Sequence, residues 1–166
     1  KNLSYIRVSS VELPNLFYTF TLRKENTYFR ICFLNGVDTI EKAIVIPDGN
    51  YTTSQILKVI NFELDKINDL YGTYFSIRCN ETKGKSILTN LEYDKRGNLT
   101  GNIGDPFDLK FDSGTVYPSL GYQLGFRNTL YSGEITYIGE SIFDVIGFNY
   151  VFLKINDYGF VHTAIN

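Results

Sequence analysis

The chain has 166 residues, 43% hydrophobic, 20% charged and 16% aromatic, which is enough to bury one real core and excludes disorder or collagen-like repetition. Sixteen Lys and Arg against 18 Asp and Glu leave a formal charge of −2, which excludes a bulk electrostatic pull toward nucleic acid or an anionic membrane. Thirteen Tyr, 13 Phe and abundant Ile and Asn, with alanine only at Ala43 and Ala164, favour strands over helices.

Taken in chain order, apolar and polar residues alternate over 3–13 and 16–22, with Pro14-Asn15 between, which predicts two strands or one strand bent at a proline. Residues 28–34 read as the next strand, closed by the hairpin signal Asn35-Gly36, and 40–46 as its partner before Pro47-Asp48-Gly49-Asn50 turns the chain. The period then changes. Ile56, Leu57, Ile60, Leu64, Ile67 and Leu70 recur at three- and four-residue spacing, so they share one face of an amphipathic helix. Thr52 with Gln55 forms a capping box and Gly72 a left-handed C-cap. Lys58, Glu63, Asp65, Lys66 and Asn68 fall on the other face, which predicts a surface helix covering an open end or edge of a sheet.

Strand patterns return over 74–79 and 85–93, across a turn at 80–84, followed by a Gly- and Asn-rich loop over 94–105 and clean alternation over 107–111. Ser119-Leu120-Gly121-Tyr122-Gln123-Leu124-Gly125-Phe126 predicts one packed turn framed by Gly121 and Gly125, glycine being needed where backbone passes close to a neighbour or φ is positive. Segments 134–138, 141–146, 149–155 and 160–164 complete a set of about ten strands at the short spacing of an all-β sandwich. No linker divides the chain, so 1–166 reads as a single domain.

Catalytic constellations are sparse. The single histidine, His162, excludes His-rich metal sites and leaves any Ser-His-Asp triad resting on one residue near the chain end. Asp105/Asp108 and Glu140/Asp144 are carboxylate pairs of the kind glycoside hydrolysis uses, but they read as turn caps and loop charges. Asp48-Gly49-Asn50 and Asp112-Ser113-Gly114 lack the ligand spacing of a calcium loop, and Gly121-Tyr122-Gln123-Leu124-Gly125 lacks the third glycine and the lysine of a phosphate cradle. Cys32 and Cys79 read as free, buried thiols. No catalytic residue, cofactor or metal is expected. The loop tyrosines Tyr51, Tyr117, Tyr122, Tyr131 and Tyr158 are the candidates for protein or glycan contact, since Tyr joins large apolar area to a polar tip. No apolar run approaches the roughly 18 residues a membrane-spanning helix needs, and a chain starting at Lys1 without Met reads as a trimmed or processed product.

Val8-Ser9-Ser10-Val11-Glu12-Leu13-Pro14-Asn15-Leu16-Phe17-Tyr18, Ile44-Val45-Ile46-Pro47-Asp48-Gly49-Asn50-Tyr51-Thr52 and Ser119-Leu120-Gly121-Tyr122-Gln123-Leu124-Gly125-Phe126-Arg127 are three segments that together carry a resemblance. Together with the strand-like Asn149-Tyr150-Val151-Phe152-Leu153-Lys154-Ile155-Asn156-Asp157-Tyr158, their order and spacing resemble minor-capsid-type or uncharacterised virion proteins of nucleocytoplasmic large DNA viruses, the giant and algal viruses. The resemblance implies a jelly-roll-like virion protein, excised from a longer chain, that works by assembly in the host cytoplasm. Its partners would be sister subunits and other capsid proteins. The motifs are structural: a bend at Pro14 and Asn15, a turn through Pro47 and Gly49 into the Thr52 cap, and the Gly121–Gly125 turn. A different expectation, a fibre-head or lectin-like module binding a host glycan or protein through its Tyr-bearing loops, suits the same sandwich.

Overall fold

The computed structural model describes residues 17–94, 96–111 and 118–146. Strand β1 (Tyr28–Asn35) turns Phe29, Ile31 and Phe33 into the core, while Arg30 and Leu34 face outward. It pairs with β2 (Asp38–Val45), Tyr28 opposite Val45 and Asn35 opposite Asp38. Gly36, at φ +66°, is the first central residue of the two-residue loop, the position where a type II′ hairpin turn demands glycine. Asn35 is therefore the last paired residue of β1 rather than part of the loop.

Helix α1 (Thr53–Tyr71) forms as its caps dictate. Thr52 Oγ1 accepts from Gln55 N at 3.3 Å, Gln55 Oε1 accepts from Thr52 N at 2.8 Å, and Gly72 ends the helix at φ +68°. Ile56, Ile60, Leu64 and Ile67 are buried, whereas Leu70, expected on the same face, is exposed. Past the helix lie β3 (Phe75–Asn80), β4 (Lys85–Tyr93), β5 (Leu99–Ile103) and β6 (Phe107–Lys110), then the short α2 (Leu120–Gln123), β7 (Leu130–Glu134) and β8 (Thr136–Ile138).

All pairings are antiparallel and build two four-stranded sheets, one ordered β2-β1-β6-β7 and one ordered β3-β4-β5 with β8 also on β4. The fold is mainly β, a sandwich with one main helix. An edge-to-face aromatic run crosses between the sheets: Phe33 to Phe75 at 5.2 Å, Phe75 to Phe107 at 5.1 Å and Phe107 to Tyr137 at 5.0 Å, with Tyr137 Oη donating to the Phe107 carbonyl.

The helix does cover a sheet edge, and two asparagines one heptad apart make the cover. Asn61 Oδ1 accepts from Ile77 N while its Nδ2 donates to Ile77 O, and Asn68 treats Phe75 the same way, each bond 2.8 Å long. Each amide supplies the donor and acceptor that a neighbouring strand would offer the edge of β3. Asn68 therefore belongs to the packed side, not to the solvated face on which its spacing placed it. Replacing either asparagine by alanine leaves one N–H and one C=O of β3 without these partners. A loss of about 1–3 kcal/mol is expected for each, with faster amide exchange at Phe75 or Ile77. An Asn68→Ala variant with unchanged exchange at Phe75 would show that the helix does not seal this edge.

Several strand expectations are corrected. Over 16–22 the described residues form no strand: Phe20 bridges only to Gly49, and a 3-10 turn (Leu22–Lys24) follows because Asn26 Oδ1 takes Thr21 N and Asp48 Oδ1 takes Leu22 N. The loop expected over 94–105 contains β5, and β7 was not anticipated. Expected strand 134–138 is shorter, since Glu134 ends β7 and only Thr136–Ile138 form β8. Residues 141–146 are not a strand; their backbone is held by the turns at Gly84, Gln123 and Gly125. The described residues thus hold eight strands where about ten were expected for the whole chain. Segments 3–13, 149–155 and 160–164 lie outside the described residues.

Candidate functional site

Ser119 Oγ accepts from Tyr122 N at 3.2 Å and so starts the single turn of α2. Gly121 lies face-on to the Phe111 ring, where a Cβ would come within 2.2 Å of ring carbon. Gly125, at φ +95°, presses on the Ser141 carbonyl and accepts from Ser141 N at 2.9 Å, while Asp144 N donates to Gln123 O at 2.8 Å. One turn therefore pins the segment after β8.

Immediately beyond it, the Arg127 guanidinium lies 4.0 Å over the Tyr122 ring, and its Nη1 donates to the Tyr122 and Phe126 carbonyls at 2.7 and 3.1 Å. Tyr131 Oη accepts from the backbone N–H groups of Arg127 and Asn128 at 2.9 and 3.0 Å. It donates in turn to the Glu140 carboxylate, whose oxygens lie 2.8 and 2.7 Å away. Burial, reinforced by Glu140, pushes the Tyr131 phenol above its ordinary pKa. Beside this network opens a shallow cleft of about 180 Å³ between the apolar Phe111, Pro118 and Phe126 and the polar Ser119, Arg127 and Thr129. A half-exposed aromatic ring under a guanidinium at the lip of an apolar slot can stack on a sugar face or seat one side chain.

A charged cluster sits on the outer face of the first sheet. Glu41 receives Lys110 Nζ at 2.8 Å, Arg30 Nη1 at 3.0 Å and the Cys32 thiol at 3.1 Å. The Lys110 hydrogen bond, then the Cys32 thiol, holds the Glu41 carboxyl down to about 2 against an ordinary 4.5. Burial, with Glu41 beside it, pushes Cys32 up. A carboxylate with a depressed folded-state pKa contributes stability that is present above its unfolded value and lost as pH falls through the folded one. The Glu41 contribution is thus expected to fade between pH 4.5 and about 2, and Glu41→Gln should flatten the stability profile across that window in an acid titration followed by circular dichroism.

The outer face of the second sheet carries an apolar row beside the polar Ser76, Arg78, Thr89 and Thr136. Register sets Ile87 opposite Ile138, Leu91 opposite Ile103 and Tyr93 opposite Leu99. Ile138, Ile103 and Leu99 are each more than half exposed, at 55%, 61% and 52%. Arg78 borders the row, stacked 4.6 Å over the Tyr93 ring.

Of the expected contact tyrosines among the described residues, Tyr122 and Tyr131 both bond to Arg127, and Tyr122 is the exposed one. Tyr131 is half-buried on strand β7, and its hydroxyl is spent on Glu140. Tyr51 is also half-buried rather than free: its hydroxyl donates to Pro47 O at 2.6 Å and its ring packs edge-on against Phe20. Tyr117 and Tyr158 lie outside the described residues, as do Pro14, Asn15, His162 and Asp112-Ser113-Gly114. Pro47, Gly49 and Thr52 lead into α1 as expected, Gly49 against the Tyr51 ring. Members of the acidic pairs act as separate acceptors: Asp108 Oδ1 accepts from Gly133 N of the neighbouring strand, Asp144 Oδ1 from Ile146 N, and Glu140 from the Tyr131 hydroxyl. Asp48 and Asn50 accept from Leu22 N and Thr19 N. Among the described residues no group of three or more His, Cys, Asp or Glu is placed to hold a metal ion. Cys32 and Cys79 are free thiols, the first buried and the second half-buried.

The features that reading the chain missed are Arg127 and the outer row on the second sheet. The row had a signal: Ile87, Leu91 and Tyr93 alternate on the side of β4 opposite buried Leu88, where a solvated face would carry polar residues. Comparisons of the chain with protein-family models, with curated proteins and with solved structures give no match.

Proposed function

We propose that this chain is a non-catalytic structural component of a virus particle, of minor-capsid or vertex type, that packs against sister subunits and other capsid proteins. The observation that carries the reading is the outer face of the second sheet, where Leu99, Ile103 and Ile138 stand out of paired strands as a row. Scattered exposed apolar residues need no explanation, but a row along a rigid sheet is what an assembly contact of about 800 Å² per partner is built from. A formal charge of only −2 offers little repulsion between copies. The four-motif resemblance to giant- and algal-virus proteins supplies the virion setting, with assembly in the host cytoplasm, and the two antiparallel sheets fit the β-sandwich class it implies.

Light scattering behind size-exclusion chromatography tests the assembly step. A closed oligomer such as a trimer or pentamer is expected, and Ile103→Asp with Ile138→Asp should dissolve it without unfolding the protein, both side chains being exposed. A strict monomer at every concentration counts against the reading. The second reading, a fibre-head or lectin-like module, draws on the exposed Tyr122 ring beneath Arg127 at the cleft. A monomer whose glycan-array signal disappears with Tyr122→Ala would favour it.

A further inference from the structure

Asn35-Gly36 is the one Asn-Gly pair in the chain, and the fold places it at the tip of the β1–β2 hairpin. Residues 34–39 are all exposed, so the last ladder pairs, Asn35 with Asp38 and Leu34 with Thr39, carry no core contact and open at low cost. Asn35 and Gly36 are both exposed, and a Cβ built on Gly36 would meet nothing within 4 Å beyond its chain neighbours, so no packed group crowds this side of the turn. Gly36 also lacks the side chain that elsewhere hinders ring closure onto the backbone nitrogen.

We propose that Asn35 is a site of spontaneous, hydrolytic modification that converts its amide to aspartate and isoaspartate. When the tip opens, hydroxide removes the Gly36 amide proton and the nitrogen attacks Asn35 Cγ. A new N–Cγ bond forms, the Cγ–Nδ2 bond breaks, and ammonia leaves carrying a proton from water. Water then opens the five-membered imide at either carbonyl. One opening leaves an ordinary aspartate at position 35 and the other an isoaspartate whose main chain is longer by one methylene. Net, one water enters and one ammonia leaves; no oxidant or enzyme is needed.

The register gives this change a consequence. Residue 35 stands directly opposite Asp38, so either product sets two carboxylates across one strand pair, a destabilising arrangement. The isoaspartate also disrupts the two-residue turn. The modified chain gains one negative charge on its formal −2, and the hairpin end of the first sheet loosens while the core residues Phe29, Ile31 and Phe33 stay in place.

The experiment is incubation of the folded protein in mildly alkaline buffer made with heavy-oxygen water, followed by peptide mapping that separates aspartate from isoaspartate. The expected result is heavy-oxygen label at residue 35 in both forms, appearing before label at Asn98 or any other asparagine, with a more acidic species growing on ion exchange. Asn35→Gln should abolish that species while leaving the turn glycine in place. Asn35→Asp should lower the thermal midpoint, and adding Asp38→Asn should restore it, which assigns the loss to the facing charges. The proposal is overturned if the Asn35 amide persists while other asparagines convert, or if it converts only after the protein is unfolded in urea.

Discussion

Replacing Phe75 by alanine is expected to remove about 3–5 kcal/mol of stability, a large part of the roughly 5–15 kcal/mol a domain of this size possesses. Phe75 is 1% exposed and lies at the start of β3, at the meeting point of three parts of the fold. Its ring takes Phe33 at 5.2 Å and Phe107 at 5.1 Å, both from the opposite sheet, and its backbone N–H and C=O are held by Asn68 of α1. The alanine variant loses the transfer free energy of the ring, and it leaves a cavity that two paired strands cannot collapse to fill. Edge-to-face pairs contribute about 0.5–1.5 kcal/mol beyond buried area, so losing two of them pushes the cost toward the upper end. Urea unfolding should show the midpoint falling with an unchanged slope, whereas Phe62→Ala should move it by no more than about 0.5 kcal/mol. Phe62 is 61% exposed, with the Lys66 ammonium 4.5 Å from its ring centre, which makes it the matched control. Equal costs at the two positions would mean that the aromatic run does not join the sheets.

The contrast between what could be read along the chain and what could not follows from where each element gets its partners. Helix α1 was legible to its ends because Thr52, Gln55 and Gly72 act within a few residues of themselves, and its buried face repeats locally. Strands β1 and β4 were legible because alternation survives wherever one face is buried. Strand β5 was not. Leu99-Thr100-Gly101-Asn102-Ile103 contains two poor strand formers and is exposed throughout, so only the ladder offered by β4 makes it extended. The reverse error occurred over 141–146, where alternation suggested a strand. There Ser141, Phe143 and Asp144 donate to Gly125, Gly84 and Gln123, carbonyls of turns that no local pattern announces. The same limit hid the use of Tyr131: an aromatic residue between loops looks free until Glu140 and two backbone N–H groups are found on its hydroxyl. Gly121 and Gly125 were the exception, because paired glycines within an apolar run signal close approach before the neighbour is known.

Gly125→Ala is the second large effect, and it separates two costs that usually arrive together. At φ +95° an alanine is strained by its own backbone, a term of order 1–3 kcal/mol, and its Cβ would stand 2.3 Å from the Ser141 carbonyl oxygen. That oxygen belongs to main chain and cannot swing aside as a side-chain tip would. The segment is held from the other direction as well: Ser141 N donates to Gly125 O at 2.9 Å, and a Cβ on Gly139 would already meet the Gly125 carbonyl at 3.2 Å. Relief therefore means shifting residues 139–141, which breaks that hydrogen bond and draws Glu140 off Tyr131, so a total of about 3–5 kcal/mol is expected. Gly36→Ala supplies the comparison. Its positive φ of +66° carries backbone strain too, yet nothing lies within 4 Å of the added Cβ, so it should cost the strain of about 1–3 kcal/mol with no clash added. The difference between the two variants in chemical denaturation measures the clash together with the contacts that its relief breaks. A Gly125→Ala protein that does fold should also lose the Arg127–Tyr122 stack, because the turn carrying Tyr122 and the bend carrying Glu140 are braced against each other around this contact. Equal stability losses at Gly36 and Gly125 would mean that the two backbones do not meet there, and the cleft beside them would lose its rigid wall.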